Sequence, residues 1–379
     1  MASSVTTRPR PKKPSLATRA REAGMSANHW YPAAFSREVK RGQTYETRFW
    51  GDEIALYRAE DGTAHALENR CPHRQIKLSH GSVEGCRLVC LYHGWTFDPE
   101  GQLVDMKHER FGKKLPVVSV RSYPTRERYG IVWIFPGDAE LAAITPLVEI
   151  PHAEGPDRWP SLSFAYTWKA HHSMVIDNLC NLTHLWVHGN WVPYGDTVLA
   201  DSSAERDRLT LLWRHDLRRD WMHPFTSPFF RKAPGSNESD TFMIYDYPYQ
   251  SALSNDRVRS TNFMLPMDER HTRVFSVQFW GRIPIPGVGG AKVPPRLGQL
   301  VTKLIRPITL EIFRQDGFTV EEEQISWERF SDRPIPEPNP MVKRFNELTV
   351  RKWEDFLEYE RTGELTEAQR AEQTRTKVL

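Results

Sequence analysis

The sequence predicts an α+β protein, with an all-β domain at residues 28–138 and a larger domain of mixed helices and strands at residues 139–360. The chain has 379 residues, which is enough for two domains. Before Pro136 its apolar residues occur in short runs that are rich in β-forming side chains and separated by Gly and Asp, a pattern typical of strands and turns. After Pro136 helix-length segments flank strand-length ones, which indicates a mixed domain.

Four segments of the first domain have the composition of strands: TYETRFW, EIALYRAEDG, AHALENR and YGIVWIF. The longest apolar runs, such as Gly130–Phe135, have the length of a strand and fall far short of the roughly 20 residues that cross a bilayer. We therefore expect no membrane span.

The second domain is expected to contain strands in RLTLLWRHDL, DTFMIYDYPY, RSTNFMLPM and RVFSVQFWGRI, and helices near residues 171–188, 297–315 and 338–360. The last helix has the clearest signals, because Asn339 is a capping residue, Pro340 suits a first turn, and apolar residues follow at helical spacing. The Pro- and Gly-rich segment Gly281–Arg296 is predicted to be an exposed loop over the active site.

Both ends of the chain are predicted to be solvated tails. Residues 1–21 carry six Arg or Lys and no acidic residue, and prolines interrupt them, so we expect a disordered basic tail over residues 1–27. An organelle transit peptide is the alternative, although the prolines oppose the amphipathic helix that such peptides form. Residues 361–379 are expected to form a charged C-terminal tail.

Charge and cysteine content limit the possible partners and location. A net charge of +3 is too small to indicate nucleic-acid binding. Two of the four cysteines, Cys86 and Cys180, are expected to remain reduced thiols outside any site. Reduced thiols favour a cytoplasmic location.

Four residues form the pattern C-x-H-x16-C-x2-H: Cys71, His73, Cys90 and His93. Each half of the pattern supplies one thiolate and one imidazole, which is typical of a Rieske [2Fe–2S] cluster, where two Cys hold one iron and two His hold the other. A structural zinc site is the alternative, but zinc fingers rarely use such mixed pairs. The tight turns around the cluster are assigned to three glycines, Gly81, Gly85 and Gly94.

The residues beside these ligands distinguish two kinds of Rieske protein. Rieske proteins of respiratory chains carry an additional disulfide that ties the two loops, whereas this chain has Ile76 and Tyr92 at those positions. The segments NRCPHR and LVCLYHGWTFDPEGQLV resemble instead the Rieske domains of oxygenases. Basic residues near the cluster are expected to attract an acidic electron donor, namely Arg74, Lys77 and Arg87.

A second candidate metal site lies in the stretch VIDNLCNLTHLWVH. Its Asp177, Asn181, His184 and His188 recur at intervals of four, three and four, which on a regular helix is one face. Leu185 stands where a zinc protease of the H-E-x-x-H type has its catalytic Glu, so that class is excluded. Two His and one carboxylate are the ligand set of non-heme Fe(II) oxygenases. A His pair that only forms hydrogen bonds is the alternative.

Together these motifs resemble the α subunits of Rieske non-heme iron ring-hydroxylating oxygenases, above all the vanillate O-demethylase type. The family motif D-N-L-M-D-L-T-H-x4-H is matched by DNLCNLTHLWVH, which implies that His184 and His188 are iron ligands. The third ligand of the family is an Asp in E-D-x6-7-Q, which implies Asp316 within RQDGFTVEEEQ, with Glu311 and Glu321–Glu323 as alternatives.

The resemblance implies a C-terminal helix-grip (START-like) catalytic domain after the Rieske domain. It also implies a mononuclear Fe(II), electrons from NAD(P)H through a flavin reductase or a ferredoxin, and O₂ as co-substrate in the hydroxylation or demethylation of a small aromatic or polycyclic molecule. A homotrimer, in which the cluster of one chain lies beside the iron of the next, is implied as well. Four aromatic residues are candidates for the substrate pocket, with core packing as an equal alternative: Phe242, Tyr245, Tyr247 and Phe279.

Two departures from the family motif affect this interpretation. Asn181 replaces an Asp that hydrogen-bonds an iron ligand, so a hydrogen bond is kept but the charge is lost; Asp177, one turn earlier, is the candidate to compensate. We assign catalytic roles to both residues. Three residues instead of four separate the two His, which predicts a more regular helix or recruitment of His171 or His172. A Rieske electron carrier, or a ligand-binding redox protein with a degenerate iron site, is therefore the alternative function.

Overall fold

The computed structural model describes residues 14–108, 110–218, 236–281, 295–331, 333 and 335–379. The loop predicted over Gly281–Arg296 falls largely on residues 282–294, which lie outside the described residues. None of the described helices combines the length and the apolarity that a bilayer crossing requires.

The first domain consists of short antiparallel strands, which the described residues arrange in three sheets. The strands are β1 (Tyr31–Phe35), β2 (Thr44–Phe49), β3 (Asp52–Arg58), β4 (Ala64–Glu68), β5 (Ser82–Glu84), β6 (Arg87–Val89), β7 (Trp95–Phe97), β8 (Leu103–Met106), β9 (Ser122–Tyr123), β10 (Thr125–Arg128) and β11 (Ile131–Ile134). One sheet has the order β1-β11-β10, the second β2-β3-β4-β9 and the third β5-β6-β7-β8. The turn between β6 and β7, residues 90–94, carries half of the candidate cluster motif.

The second domain contains a seven-stranded antiparallel sheet in the order β12-β18-β17-β16-β15-β14-β13. Its strands are β12 (Ser161–Trp168), β13 (Tyr194–Ala204), β14 (Arg208–Leu217), β15 (Glu238–Asp246), β16 (Tyr249–Ser254), β17 (Val258–Asp268) and β18 (His271–Trp280). The described helices are α1 (Leu16–Glu22), α2 (Ala139–Ile144), α3 (His172–Cys180), α4 (Pro295–Phe330), α5 (Pro340–Thr362) and α6 (Glu367–Thr374). The α+β class predicted from the sequence is confirmed.

Helix α4 lies along strand β12 at one edge of this sheet. The Gln299 carboxamide donates a hydrogen bond to the carbonyl of Ser161, at 2.7 Å, near the start of the helix. Gly317 lies against Trp168, and a Cβ at this glycine would approach the indole Nε1 to 2.5 Å, so a side chain would push the helix away from the sheet. Because these contacts hold α4 on β12, they also fix the position of Asp316 on the same helix.

The prediction of a disordered tail over residues 1–27 is wrong from residue 14 onward. Helix α1 begins after Ser15, whose hydroxyl accepts a hydrogen bond from the backbone N–H of Thr18 at 3.1 Å. The helix packs against α5, and its Ala20 is fully buried. Composition indicated disorder because the carboxylates that neutralise this basic segment are far away in the sequence.

The charged tail predicted over residues 361–379 is wrong as well. After Gly363 the chain forms α6, which opens with a capping box between Thr366 and Gln369. The last residues pair with the backbone of Glu149, and the side chain of Leu379 is buried in the core. Several charges of this segment face water, but Glu372 and Lys377 are buried and form a network with Lys352 of α5.

We expect Glu372→Gln to lower the free energy of unfolding at pH 7 by about 3 kcal/mol, because the change leaves the buried Lys377 without its carboxylate and leaves Lys352 with Asp207 alone. Urea unfolding measures the difference. The matched control is Glu367→Gln, an exposed position on the same helix, which should alter stability by less than about 0.5 kcal/mol. Equal stability of Glu372→Gln and the parent at pH 7 would contradict the buried network.

The same carboxylate predicts a pH dependence. Burial raises the pKa of Glu372, but the charges of Lys377, Lys352 and His29 outweigh burial and hold the pKa well below its usual range. A folded-state pKa below the unfolded value means that the stabilisation is complete above the unfolded pKa, about 4.3, and is lost as the pH falls towards the folded-state pKa. The stability difference between Glu372→Gln and the parent should therefore shrink in acid.

Candidate functional site

The four residues of the C-x-H and C-x2-H motifs come together on two loops of the first domain. Cys71 and His73 follow β4, and Cys90 and His93 lie in the turn between β6 and β7. Both thiols are buried, whereas both imidazoles are partly exposed. The centroids of the two imidazole rings are 4.8 Å apart. The arrangement offers two sulfur donors on the inner side and two nitrogen donors on the outer side.

Hydrogen bonds favour a thiolate at Cys90, and backbone amides donate to the sulfurs of both cysteines. The hydrogen bond from Cys71 lowers the pKa of the Cys90 thiol to about 6, burial opposes this, and the amides of Tyr92 and His93 support it. The same thiol–thiol hydrogen bond and burial raise the pKa of Cys71, although the amide of His73 also donates to its sulfur. Backbone N–H groups directed at thiolates are a feature of iron–sulfur sites, so the donor set and its surroundings fit a Rieske cluster.

The two loops are held by an aromatic contact and by glycines. Trp95 stacks on the imidazole of His73, with 4.8 Å between ring centroids and 3° between planes. Gly85 and Gly94 have φ angles of 61° and 66°, a region that favours glycine, as predicted for tight turns. Gly81 has an ordinary backbone conformation, but a Cβ there would lie 2.0 Å from a backbone carbonyl of β6, so this glycine is needed for close packing.

The histidine motif of the second domain does not form one regular helix, contrary to the prediction. Helix α3 ends at Cys180, and Asn181 is extended (φ −107°, ψ 103°) before a short 3-10 helix, Leu182–Val187. The Asn181 carboxamide oxygen accepts hydrogen bonds from the backbone N–H and the hydroxyl of Thr183, at 3.1 and 2.7 Å. Asn181 therefore caps the 3-10 helix, and this local hydrogen bonding interrupts α3.

The structure brings the three predicted iron ligands of the second domain together. Nε2 of His184 is 3.2 Å and Nε2 of His188 is 3.3 Å from Oδ1 of Asp316. One donor atom from each residue lies within 4.8 Å of the others. Two ligand atoms about 2.1 Å from one ion and at right angles lie about 3.0 Å apart, so these distances fit a shared first-row metal ion. Two imidazoles and one carboxylate are also the donor set that leaves positions open on Fe(II).

Hydrogen bonding orients His188, the more deeply buried of the two candidate histidine ligands. Burial raises the pKa of Asp316, but His184 and His188 outweigh burial and hold that pKa below its usual value. Burial lowers the pKa of His188, whereas Asp316 and Gln315 raise it, and the net pKa is above the usual value. The carboxamide oxygen of Gln315 is 3.1 Å from Nδ1 of His188, and Glu311 in turn accepts from Gln315 at 3.0 Å. Gln315 thereby keeps Nε2 directed at Asp316.

The alternative ligands considered from the sequence lie elsewhere. His171 and His172 are buried at the start of α3 and do not join the described group of residues that could share an ion. Burial lowers the pKa of His172 to about 4. The alternative carboxylates have other partners: Glu311 bonds to Arg314 and Gln315, Glu321 to the amide of Lys169, and Glu323 to Arg21.

Asp177 and Asn181, to which the sequence assigned catalytic roles, have no described hydrogen bond to the candidate ligands. Asp177 accepts from Arg21 at 2.9 Å, and Asn181 bonds within its own turn. Burial raises the pKa of Asp177 to about 7, although the charge of Arg21 opposes the rise. Both residues border, with His184, a surface depression of about 280 Å³. Their catalytic roles stay predictions.

A cavity of about 220 Å³ adjoins the three candidate ligands. Helix α4 lines it with residues of one face, namely Ile305, Ile308, Thr309, Ile312, Phe313 and Asp316. The twelve residues from Ile305 to Asp316 span about 16 Å of helix, so the wall that α4 contributes to the cavity is elongated. The facing wall is one side of strands β15–β18, where Asn262 donates to Gln250 at 2.6 Å.

None of the four aromatic residues considered for the pocket is among the described residues that line the cavity, and the alternative of core packing is confirmed for three of them. Tyr245, Tyr247 and Phe279 are buried in the core, and Phe242 is 43% exposed. Positions 241 and 243, which alternate with 242 along β15, face the cavity instead. Gln315 was not predicted from the sequence. Its spacing of four residues from Glu311 is compatible with a contact on a helix but is too common to indicate a site.

Comparison with known proteins agrees with this architecture. A model of the Rieske [2Fe-2S] domain matches residues 29–124, and a model of the vanillate O-demethylase oxygenase C-terminal domain matches residues 168–358. The 4beta-methylsterol monooxygenase of Methylococcus capsulatus is 37% identical over 348 residues, which are 90% of this chain and 93% of that protein. A vanillate O-demethylase oxygenase subunit from a Pseudomonas species is 31% identical over 205 residues, or 50% of this chain and 56% of that protein.

Solved structures show the same fold. The crystal structure of dicamba monooxygenase bound to dicamba aligns with a TM-score of 0.68 at 21% identity, and the alignment covers 89% of this chain and 99% of that one. The domain matches, the extended similarity to the methylsterol enzyme and the two clusters of donor residues all point to one family. The chain belongs to the Rieske non-heme iron oxygenases, with a catalytic domain of the vanillate O-demethylase type.

Proposed function

We propose that this Rieske oxygenase inserts one oxygen atom into a methyl group of an elongated, largely apolar polycyclic substrate, and that methylsterols are its substrate class. Two electrons from NAD(P)H, delivered by a reductase, balance the reaction R–CH3 + O2 + 2e⁻ + 2H⁺ → R–CH2OH + H2O. The observation that carries the substrate class is the composition and length of the cavity beside the three candidate ligands.

The cavity favours a long neutral molecule. No Lys or Arg occurs among the described residues that line it, whereas a buried carboxylate or sulfonate needs a cationic partner. A length of about 16 Å along α4 suits several fused rings better than a single ring. The amide side chains of Gln250 and Asn262 on the sheet can bind a hydroxyl group. The extended similarity to a protein named 4beta-methylsterol monooxygenase supports the same choice.

We assign His184, His188 and Asp316 as the ligands of the mononuclear iron; the cluster ligands are Cys71, His73, Cys90 and His93. Iron held there supplies the binding and activation of O₂. Gln315 keeps the ring of His188 in the orientation that metal binding requires. The aliphatic wall of α4 orients the substrate and excludes water from its methyl group. Asn181 and Asp177 remain proposed catalytic residues because they border the same depression as His184.

Metal content and substrate turnover test this function together. Protein purified without oxygen and resupplied with Fe(II) should hold about three irons and two acid-labile sulfides per chain, since the cluster accounts for two of the irons. With a reductase and NADH it should hydroxylate a 4-methylsterol and leave vanillate unchanged. About two irons to two sulfides would indicate an electron carrier. Turnover of vanillate but not of any methylsterol would overturn the substrate class.

We also propose a head-to-tail homotrimer, because apolar side chains are exposed on both metal-binding loops. Trp186, between the two candidate histidine ligands, is 94% exposed. Leu91 and Tyr92, in the turn between β6 and β7, are 66% and 60% exposed. Exposed apolar groups of this size mark interaction surfaces. A contact that covers both loops would place each cluster beside the mononuclear site of the next chain.

Trp186→Glu is expected to weaken trimer association by at least about 30-fold, because loss of a buried aromatic anchor costs about 2 kcal/mol or more at an interface. Light scattering coupled to size exclusion, over a range of protein concentrations, measures the change. Phe242→Glu is the control, since it alters an exposed aromatic residue on the face of β15 away from the cavity. A trimer that survives Trp186→Glu at all concentrations would argue against this interface.

A further inference from the structure

Specific contacts hold helix α1 against the second domain. Arg19 forms an ion pair with Glu354 on α5, at 2.6 Å. The carbonyl of Ala23, just beyond α1, lies 2.7 Å from Nε2 of His172 on α3. Together with the burial of Ala20, these contacts place α1 across the surface of α3 and α5.

Arg21 on this helix makes the contacts that concern the iron site. Its guanidinium donates to Oγ of Ser173 at 2.6 Å and to Oδ2 of Asp177 at 2.9 Å, both on α3. It also donates to Oε1 of Glu323 on α4, at 2.9 Å. The Arg21 side chain is only 8% exposed. The planar fork of a guanidinium allows one cation to bond to both helices at once.

Of the two bridged helices, α4 carries Asp316, and α3 leads directly into the segment that carries His184 and His188. Asp177 precedes His184 by seven residues, with the break at Asn181 between them, and Glu323 follows Asp316 by seven residues, which is about two turns of α4. Arg21 borders the surface depression beside His184 and does not line the substrate cavity. It is therefore placed to act on the position of the ligand-bearing segments and not on the substrate.

Loss of the Arg21 contacts with Asp177 and Glu323 is expected to weaken the packing of α3 against α4. Asp177 is buried, and its charged form depends on the guanidinium. Glu323 is a second negative charge at the same place. Without Arg21, Asp177 would lose its hydrogen-bond donor and its counter-charge, and no cation would join α3 to Glu323 on α4.

We propose that Arg21 is a positioning residue of the mononuclear iron site, because its bridge between Asp177 and Glu323 sets the distance between α3 and α4. That distance determines how closely the two histidines approach Asp316. The inference rests on the proposed function only in taking these three residues as the iron ligands.

Fe(II) binding by protein with an intact cluster tests this role. Arg21→Ala should weaken Fe(II) binding at least about 10-fold, the loss found when outer partners of metal ligands are removed, and leave the visible spectrum of the cluster unchanged. Arg21→Lys should restore part of the affinity, since it keeps the charge but not the fork. Arg19→Ala removes the same charge from the same helix and should keep the affinity of the parent.

Glu323→Gln is the variant that covers a failure of Arg21→Ala to fold. It keeps the Arg21–Asp177 pair and removes only the negative charge of the partly exposed partner on α4, so we expect Fe(II) binding to weaken about 2- to 5-fold. Hydrogen exchange of residues 182–191 in iron-free protein should become faster in both variants. Parent-like Fe(II) affinity in Arg21→Ala, or in Glu323→Gln where Arg21→Ala does not fold, would overturn the proposal. A parent protein that binds no third iron would refute the proposed function instead, and hydrogen exchange would still decide whether Arg21 holds the helices.

Discussion

Asp316→Ala is expected to reduce product formation to less than about one-hundredth of the parent rate while the cluster stays intact. The substitution removes the single anionic donor from a site whose other donors are two neutral imidazoles. Even the loss of an outer partner of a metal ligand costs about 10- to 100-fold, so the loss of a ligand should cost more. A reductase-coupled assay that quantifies the hydroxylated product, run beside the visible spectrum, measures both properties.

The control for this prediction is Glu322→Ala. Glu322 is an exposed carboxylate on α4, six residues beyond Asp316, and belongs to the run that the sequence left as an alternative ligand set. It should retain the parent rate. Product formation at the parent rate by Asp316→Ala, or its loss in Glu322→Ala, would show that the carboxylate ligand has been assigned to the wrong residue.

Cys90→Ser should abolish both the visible absorption of the cluster and NAD(P)H-dependent product formation. The buried sulfur of Cys90 receives hydrogen bonds from backbone amides that favour a thiolate, whereas a serine hydroxyl in its place stays protonated and binds iron poorly. The metal content per chain should therefore fall from about three irons and two sulfides to about one iron and no sulfide, because the mononuclear site lies in another domain.

Cys86→Ser is the matched control for Cys90→Ser. Cys86 is exposed in the turn between β5 and β6, four residues before Cys90. It should keep the spectrum, the metal content and the product yield of the parent. A cluster that survives Cys90→Ser, or that disappears in Cys86→Ser, would mean that the two loops hold the irons differently from the arrangement described here.

The parts of the site that could be predicted from sequence are those with local spacing. Cys71 and His73 are two residues apart, and His184 and His188 are four apart. A single loop or helical segment therefore brings the two side chains of each pair together. Asp316 is 132 residues beyond His184, and its partnership with the histidines came from family resemblance alone. Gln315 was missed because a glutamine on an amphipathic helix has no distinguishing pattern.

Local patterns failed where distant partners determine the structure. Residues 14–27 and 361–379 are charged, yet the side chains of Arg21 and Glu372 are buried. Arg21 pairs with carboxylates more than 150 residues away, and Glu372 pairs with Lys377 and with Lys352 on another helix. The alternation of side chains along β15 places position 242 on one face of the sheet and positions 241 and 243 on the other. Only the packing of α4 decides which of these two faces lines the cavity. Asn181 ended α3 through a capping hydrogen bond that competes with helical spacing.

The two walls of the substrate cavity differ in how freely they can change. Ile308 and Ile312 lie on the same helix as Asp316, so a substitution that reshapes the cavity from this side also strains a ligand-bearing element. Ala252 and Ser260 lie on β16 and β17, which carry none of the proposed ligands. We expect relatives with different substrates to differ mainly at the strand positions that line the cavity, while the residues of α4 are preserved. Substrate specificity can then change without disturbing the helix that carries the carboxylate ligand.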